Sequence, residues 1–196
     1  MQVRAAVERH LVATFGPVTG RAGVTFLGAD PIDVLRFGPR PDGFFRYATV
    51  GMSSEPMSDP TSAVRDPAGP RAELVLSLRS PRDSVARRLA VLAAIPAIEG
   101  VTVVAGAGLD LGEPLWDDAP FQGVLVGEPG GLVADLSLAN VLPGQPAAPI
   151  QFLPLFPTTP NESAFKRVHG AGPLRERWLA DELDLRDPTR REARLT

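Results

Sequence analysis

The chain has 196 residues, 44% of them hydrophobic and 22% charged, with a formal net charge of −3. These values exclude wholesale disorder, and the acidic balance argues against a nucleic-acid partner, whose phosphates call for a basic surface. With no cysteine in the sequence, disulfides, thiolate metal sites and a cysteine nucleophile are excluded as well.

The first expected element is an amphipathic helix over residues 3–15, with Val3, Val7, Leu11 and Phe15 at helical spacing and Gly16-Pro17 as its stop. Arg4, Glu8, Arg9 and His10 interrupt its apolar positions, so it does not read as a signal peptide. No later stretch approaches the ~20 apolar residues of a membrane helix. The expectation is a cytoplasmic protein with no membrane partner.

Short strands are expected at Val24–Leu27, Ile32–Phe37 and Phe44–Val50, and then a long surface loop over the Ser-, Pro- and Gly-rich residues 51–70. Ala72, Leu74, Leu76 and Leu78 alternate along the clearest strand. Ser80-Pro81-Arg82-Asp83 has the form of a helix start, with Ser80 as cap and Asp83 as returning carboxylate. Val85, Leu89 and Leu92 would line that helix, and Pro96 would end or kink it.

Further strands are expected at Val101–Val104, Phe121–Val126, Leu132–Leu138 and Ile150–Phe156, with Pro154 placing a strand end or an edge in the last. Thr159-Pro160-Asn161-Glu162 repeats the capping-box pattern before a helix that stops near Gly170. A last helix opens at Pro173 with Leu174, Trp178 and Leu179 as candidates for its inner face. From Asp184 the chain is charged and polar, which predicts a frayed tail over 184–196 behind a single domain of residues 1–183. The order of elements predicts an α+β (mixed α/β) fold, with a largely antiparallel or mixed sheet flanked by helices.

Motifs for chemistry are sparse. Lys166, the sole lysine, follows Phe165 and not the glycine of a phosphate loop, and no G-x-S-x-G elbow occurs. Gly106-Ala107-Gly108 is a fragment of a dinucleotide fingerprint without its third glycine. His10 and His169 lack metal-ligand spacing, so no metal and no cofactor are expected. Glu162 and His169 stand two helical turns apart, which leaves open a small hydrolase built on that pair. The competing reading makes Glu162 a cap and His169 a helix-end residue suited to the dipole.

Residues 89–165 contain no lysine or arginine but eight acids, namely Glu99, Asp110, Glu113, Asp117, Asp118, Glu128, Asp135 and Glu162. Gathered on one face they would steer a basic partner; scattered, they would solubilise separate loops. Trp116 beside Asp117 and Asp118 suggests an aromatic anchor in a charged rim, where binding energy concentrates.

Three segments together resemble the suppressor of fused family. FFRYATVGMSSEPM (44–57) has the family's aromatic strand entering a T-x-G-hydrophobic-S turn, here Thr49-Val50-Gly51-Met52-Ser53, with Glu55 shortly after. RAELVLSL (71–78) is similar to its glutamate-containing apolar strand. PIQFLPLFPTTPNESAFKRVHGAGPLRERW (149–178) is similar to its closing strand, threonine–glutamate turn and helices. The resemblance runs over about residues 1–183, and the second domain of the animal members is not expected. It implies a protein-binding module without enzymatic activity, whose bacterial relatives serve as immunity proteins against toxin domains. The partner would then be a protein, with a basic toxin domain as one case, held through Met52, Glu55, Trp116, Asp117 and Asp118. A self-associating structural subunit is a further alternative.

Overall fold

The computed structural model describes residues 2–58, 61, 64 and 66–196, so part of the 51–70 loop lies outside the described residues. A helix α1 (Gln2–Phe15) precedes three strands, β1 (Val18–Phe26), β2 (Ala29–Phe37) and β3 (Phe45–Val50). Then come β4 (Arg71–Leu78), α2 (Val85–Glu99), β5 (Gly108–Asp110), β6 (Gly123–Val126) and β7 (Ile150–Thr158). Helices α3 (Pro160–His169) and α4 (Ala171–Ala180) close the order.

The seven strands form one mixed sheet in the order β1-β2-β3-β4-β7-β6-β5. Only β4 and β7 run parallel, with Arg71 opposite Ile150 and Leu76 opposite Leu155. The connection between them carries α2, as a parallel crossover requires. Alternation along the strands sorts side chains to two faces. Val34, Leu74, Leu76, Leu153 and Leu155 meet α2 residues such as Leu89 and Leu92 on one face. Leu35, Val75, Ile150 and Phe152 meet Val7, Leu11 and Phe15 of α1 on the other. Further along that second face, Leu125 and Phe156 pack against Leu174, Trp178 and Ala193. The result is an α+β fold with helices on both sides of a mixed sheet.

Several expectations change. β1 begins at Val18, well before Val24, because its Gly- and Thr-containing first half pairs with Arg36 and Leu35 despite low strand propensity. The strand expected at Leu132–Leu138 reduces to one bridge, Leu136 to Ile150. Residues 101–104 form no strand. β7 is central and not an edge, yet Pro154 disrupts nothing. Ile150 N–H points to the β6 side, toward Leu136 O, so the donor that Pro154 lacks would point the same way. The last pair with β6 is Val126 with Leu155, and beyond it Gly127 N–H still donates to Pro154 O at 2.7 Å, so Pro154 serves as an acceptor where the pairing with β6 ends.

Ser80 and Asp83 do not cap α2, which starts at Val85. The Tyr47 hydroxyl accepts from Arg82 N–H at 2.8 Å and donates to Asp83 Oδ1 at 2.9 Å. That tie holds residues 82–83 in a turn ahead of the helix, and Ser80 Oγ accepts from Arg82 Nη1 instead of a helix amide. The helix also runs through Pro96 to Glu99, where Gly100 in the left-handed conformation returns its N–H to Pro96 O. Nor is the tail frayed: Arg190 and Ala193 are buried, and Leu195 packs beside them.

Candidate functional site

Two buried glutamates organise the segments that carry the resemblance. The first is Glu73, in β4, with no exposed surface. Its Oε1 accepts from Gly51 N–H (2.9 Å), Ser53 N–H (3.0 Å) and Ser53 Oγ (2.6 Å), and its Oε2 accepts from Thr49 Oγ1 (2.6 Å). Thr49 Oγ1 in turn accepts from Leu74 N–H at 2.8 Å. Gly51 sits at φ 133°, and a Cβ there would lie 2.8 Å from Pro31 O, so the turn needs glycine. The Thr-x-Gly-x-Ser turn is thus a cradle of four donors around one carboxylate. Burial pushes the Glu73 carboxyl above its ordinary range, against the pull of Ser53, Thr49 and Gly51.

This cradle stiffens the chain that follows. Met52 is buried against the α2 face and acts as an internal anchor, which corrects its reading as a contact residue, whereas Glu55 is exposed. Glu55 stands between two hollows. One, of about 310 Å³, opens between the β1–β2 turn and the end of α2, and is lined by Gly28, Ile32, Met52, Met57 and Ala97. The other, of about 700 Å³, lies toward the start of α1. Ser54, Glu55, Pro56 and Asp30 line both. Beside the first hollow in sequence are Leu27, 103% exposed, and Ile98, 57% exposed. Nothing local in the sequence marked Leu27, because a leucine in a strand pattern reads as core until the turn at its C-terminal side is placed.

Trp116 is not the exposed anchor its acidic neighbours suggested. It is 4% exposed and packs on Phe121 with ring centroids 5.6 Å apart. Its neighbours Asp117 and Asp118 reach solvent. The reason is the chain reversal that bonds Leu115 N–H to Phe121 O, which folds the indole inward. Trp116→Ala is therefore expected to lower the unfolding free energy by about 3–5 kcal/mol, read from a denaturant midpoint. Asp117 N–H bonds Ser84 Oγ ahead of α2, while the Glu55 hollow sits at Ala93–Ala97 of that helix. At 1.5 Å per residue the two groups are roughly 14–20 Å apart, so the fold does not unite them.

The acids of the base-free run do not share a face either. Asp110 pairs with Arg167 and Glu113 with Arg88. Asp117 and Asp118 border α2, whereas Asp135 follows Ala134, whose carbonyl meets His10 of α1 on the opposite face. Glu162 is wholly buried. These acids therefore form no single face that would steer a basic partner.

Glu162 is the second organising carboxylate. Thr159 and Glu162 form the reciprocal capping box of α3. Arg190 grips the carboxylate with both ends of its fork, Nη1 to Oε1 at 2.9 Å and Nη2 to Oε2 at 2.8 Å. Trp178 Nε1 (3.1 Å) and Ala193 N–H (3.0 Å) add donors to Oε1. Burial alone would raise its pKa, but the Arg190 bonds and charge, with the Ala193 and Thr159 amides, hold it below the usual carboxylate range. Its oxygens face inward to these donors, while His169 is exposed at the far end of the helix with its ring 4.3 Å from Phe165. The two do not form an acid–base pair. Arg190 and Ala193 escaped the sequence reading because a run such as Arg190-Arg191-Glu192 looks solvated.

Among the described residues no group of three or more His, Asp or Glu is placed to hold a metal, and no helix is long and apolar enough to cross a membrane.

The Suppressor of fused protein (SUFU) family's sequence model matches residues 28–191. No curated protein matches the chain. Among solved structures, it is similar to a protein assigned as a SUFU homologue from Neisseria gonorrhoeae FA 1090, with 17% identity and a TM-score of 0.68, covering 98% of this chain and 97% of that one. It is also similar to a chain of the Sufu-Fu complex, at 14% identity and TM-score 0.67 over 97% of this chain and 91% of that one. Drosophila Suppressor of Fused matches at 14% identity and TM-score 0.61, covering 94% of this chain. This chain spans about half of that protein, 47% of its length. At such identities the structures establish a shared fold. With a family model matching most of its length, the chain belongs to the suppressor of fused family.

Proposed function

We propose that this chain is a non-enzymatic protein-binding module that seats its partner on the ridge around Glu55. The carrying observation is that ridge itself, a segment stiffened by the Glu73 cradle and flanked by two hollows with exposed Leu27 and Ile98 nearby. Apolar anchors beside a polar rim on a rigid base are what a partner surface needs, because little entropy is lost on docking. Family membership supports the reading, as does the Sufu-Fu complex, in which a protein of this fold was crystallised with Fu. Met52 shapes the floor of the site from within, and Asp117 and Asp118 offer a separate polar patch. The finer proposal is a cytoplasmic immunity protein whose partner is a bacterial toxin domain; it rests on the family resemblance alone.

The test is calorimetry with a partner identified by affinity purification from the native host and then purified. A one-to-one complex is expected, weakened about tenfold or more by Leu27→Asp or Ile98→Asp. Both sites are exposed, so the melting temperature should move by no more than about 2 °C. A partner that ignores both substitutions would place binding elsewhere. Light scattering that finds only homo-oligomers would favour the self-associating subunit. Co-expression with a toxic partner that still arrests growth would rule out immunity.

A further inference from the structure

The two edges of the sheet differ. β5 forms one with three residues, whereas β1 lays nine along the other. Leu74 N–H points to the β3 side, where it bonds Thr49 Oγ1. Backbone groups alternate in direction along a strand, and the pairs Tyr47–Leu76, Leu35–Ala48 and Ala22–Val34 carry that alternation across to β1. Ala22 and Val24 therefore bond β2, and the N–H and C=O groups of Arg21, Gly23 and Thr25 face away from the sheet. No backbone hydrogen bond from another segment reaches them among the described residues.

An open edge of this length is a template for another strand, and proteins blunt such edges with lysine, proline, bulges or unbalanced charge. Residues 18–26 contain neither lysine nor proline. The one charge, Arg21, is turned onto the α1 face and held by Glu8 and Asp33. A bulge displaces only the start of β1, at Val18–Gly20, and the irregularity at Val24–Phe26 takes its extra residue from β2. From Gly20 to Phe26 the edge is thus regular. On its α2 face, Gly20 and Ala22 are too small to fill a hollow of about 200 Å³ that Val34, Arg36, Tyr47 and Asp83 also line. Val24 and Phe26, on the same face, are only partly buried.

We infer that β1 pairs antiparallel with β1 of a second copy of this chain, about a two-fold axis at Gly23. The strand is self-complementary in that register. Arg21 falls opposite Thr25 and Gly23 opposite its own copy, so each outward donor meets an outward acceptor. Ala22 falls opposite Val24 and Gly20 opposite Phe26, which sets a large side chain against each small one and an aromatic ring beside the unfilled hollow. No two like charges oppose. An axis at Ala22 would instead set Phe26 against Val18, which packs on the α1 face beyond the bulge. A strand of unrelated sequence would find the same backbone groups without the matched side chains. The contact is isologous, so it closes at a dimer and joins two seven-stranded sheets into one. Leu27 lies beyond the paired residues, and the inference stands apart from the partner ridge around Glu55.

The experiment follows the full chain by sedimentation and by amide hydrogen exchange, from about 10 µM to 1 mM. A monomer–dimer equilibrium is expected. In dilute protein the amides of Ala22 and Val24 should exchange slowly and those of Arg21, Gly23 and Thr25 fast; in concentrated protein all five should be slow. Thr25→Lys sets a like charge against Arg21 of the second copy and should weaken the dimer about 2–30-fold. Thr25→Glu sets an opposite charge there and should strengthen it by a similar factor. Thr25 is exposed, so both variants should melt within about 2 °C of the unaltered chain. A monomer throughout the range would overturn the pairing. So would a dimer whose outward β1 amides stay fast, or one that Lys and Glu leave unmoved or move the same way. Slow exchange of those amides only when a purified protein partner is added would also overturn it, and would assign the edge to that partner.

Discussion

Glu162→Ala is expected to lower the unfolding free energy by about 3–5 kcal/mol, because it strands the Arg190 guanidinium in the interior. The pair is nearly without exposure, with side chains 2% and 0% accessible, so water cannot replace the lost partner. Trp178 Nε1–H and the Ala193 N–H lose their acceptor in the same step. Removing residues 188–196 should cost a comparable amount, since it takes away Arg190 and leaves the carboxylate buried. The double variant Glu162→Met with Arg190→Met should recover part of the loss, as apolar replacement of a buried pair often does. Denaturant titrations of the four proteins decide the matter. A loss below ~1 kcal/mol for Glu162→Ala would mean the tail does not hold the carboxylate in solution.

Glu73→Ala should be harsher still. Four donors converge on that carboxylate, and each left unsatisfied in the core costs about 1–3 kcal/mol. Against a total stability of roughly 5–15 kcal/mol the variant is expected to be largely unfolded. Glu73→Gln keeps the shape and two acceptor lone pairs but points an NH2 at donors, and should fold with a loss of about 1–3 kcal/mol. A folded, near-wild-type Glu73→Ala protein, by circular dichroism and thermal melting, would refute the cradle.

The two carboxylates should also pull the pH profile in opposite directions. The folded-state pKa of Glu162 is depressed, so its contribution is present above the ordinary glutamate value of about 4.3 and is lost as pH falls through the lower folded value. That of Glu73 is raised, so its contribution is full below about 4.3 and is lost as pH rises through the higher folded value. Each group bends the profile by at most about 1.4 kcal/mol per pH unit. Unfolding free energies measured from pH 3 to 8 should show the acid-side loss flattened in Glu162→Gln and the loss on raising pH flattened in Glu73→Gln. Unchanged slopes in both would show that neither group titrates differently on folding.

The resemblance was legible because its residues build these cradles locally. Thr49, Gly51 and Ser53 lie within one turn, and Thr159 and Glu162 within another, so their spacing is fixed by backbone geometry. What Glu73 and Glu162 bind at long range was not legible: Glu73 lies 20 to 24 residues from the turn it receives, and Arg190 lies 28 residues beyond Glu162. The false start of α2 at Ser80 has the same origin, since Tyr47, 35 residues earlier, competes for the Arg82 amide.

The sequence by itself determined the existence of the core strand at 71–78, the amphipathic face of α1, the Leu174–Trp178 face of α4 and the capped start of α3, because periodicity and capping depend on neighbours within a turn or two; that the strand is buried on both faces and that Leu179 turns to solvent came from the packing around them. The tertiary structure alone decided that Trp116 and Met52 turn inward, that the tail reaches back to Glu162, and that Glu55 stands between two hollows with Arg71 in the floor of one. Burial and charge compensation are sums over all elements packed around a residue, and no local pattern of residues contains that sum.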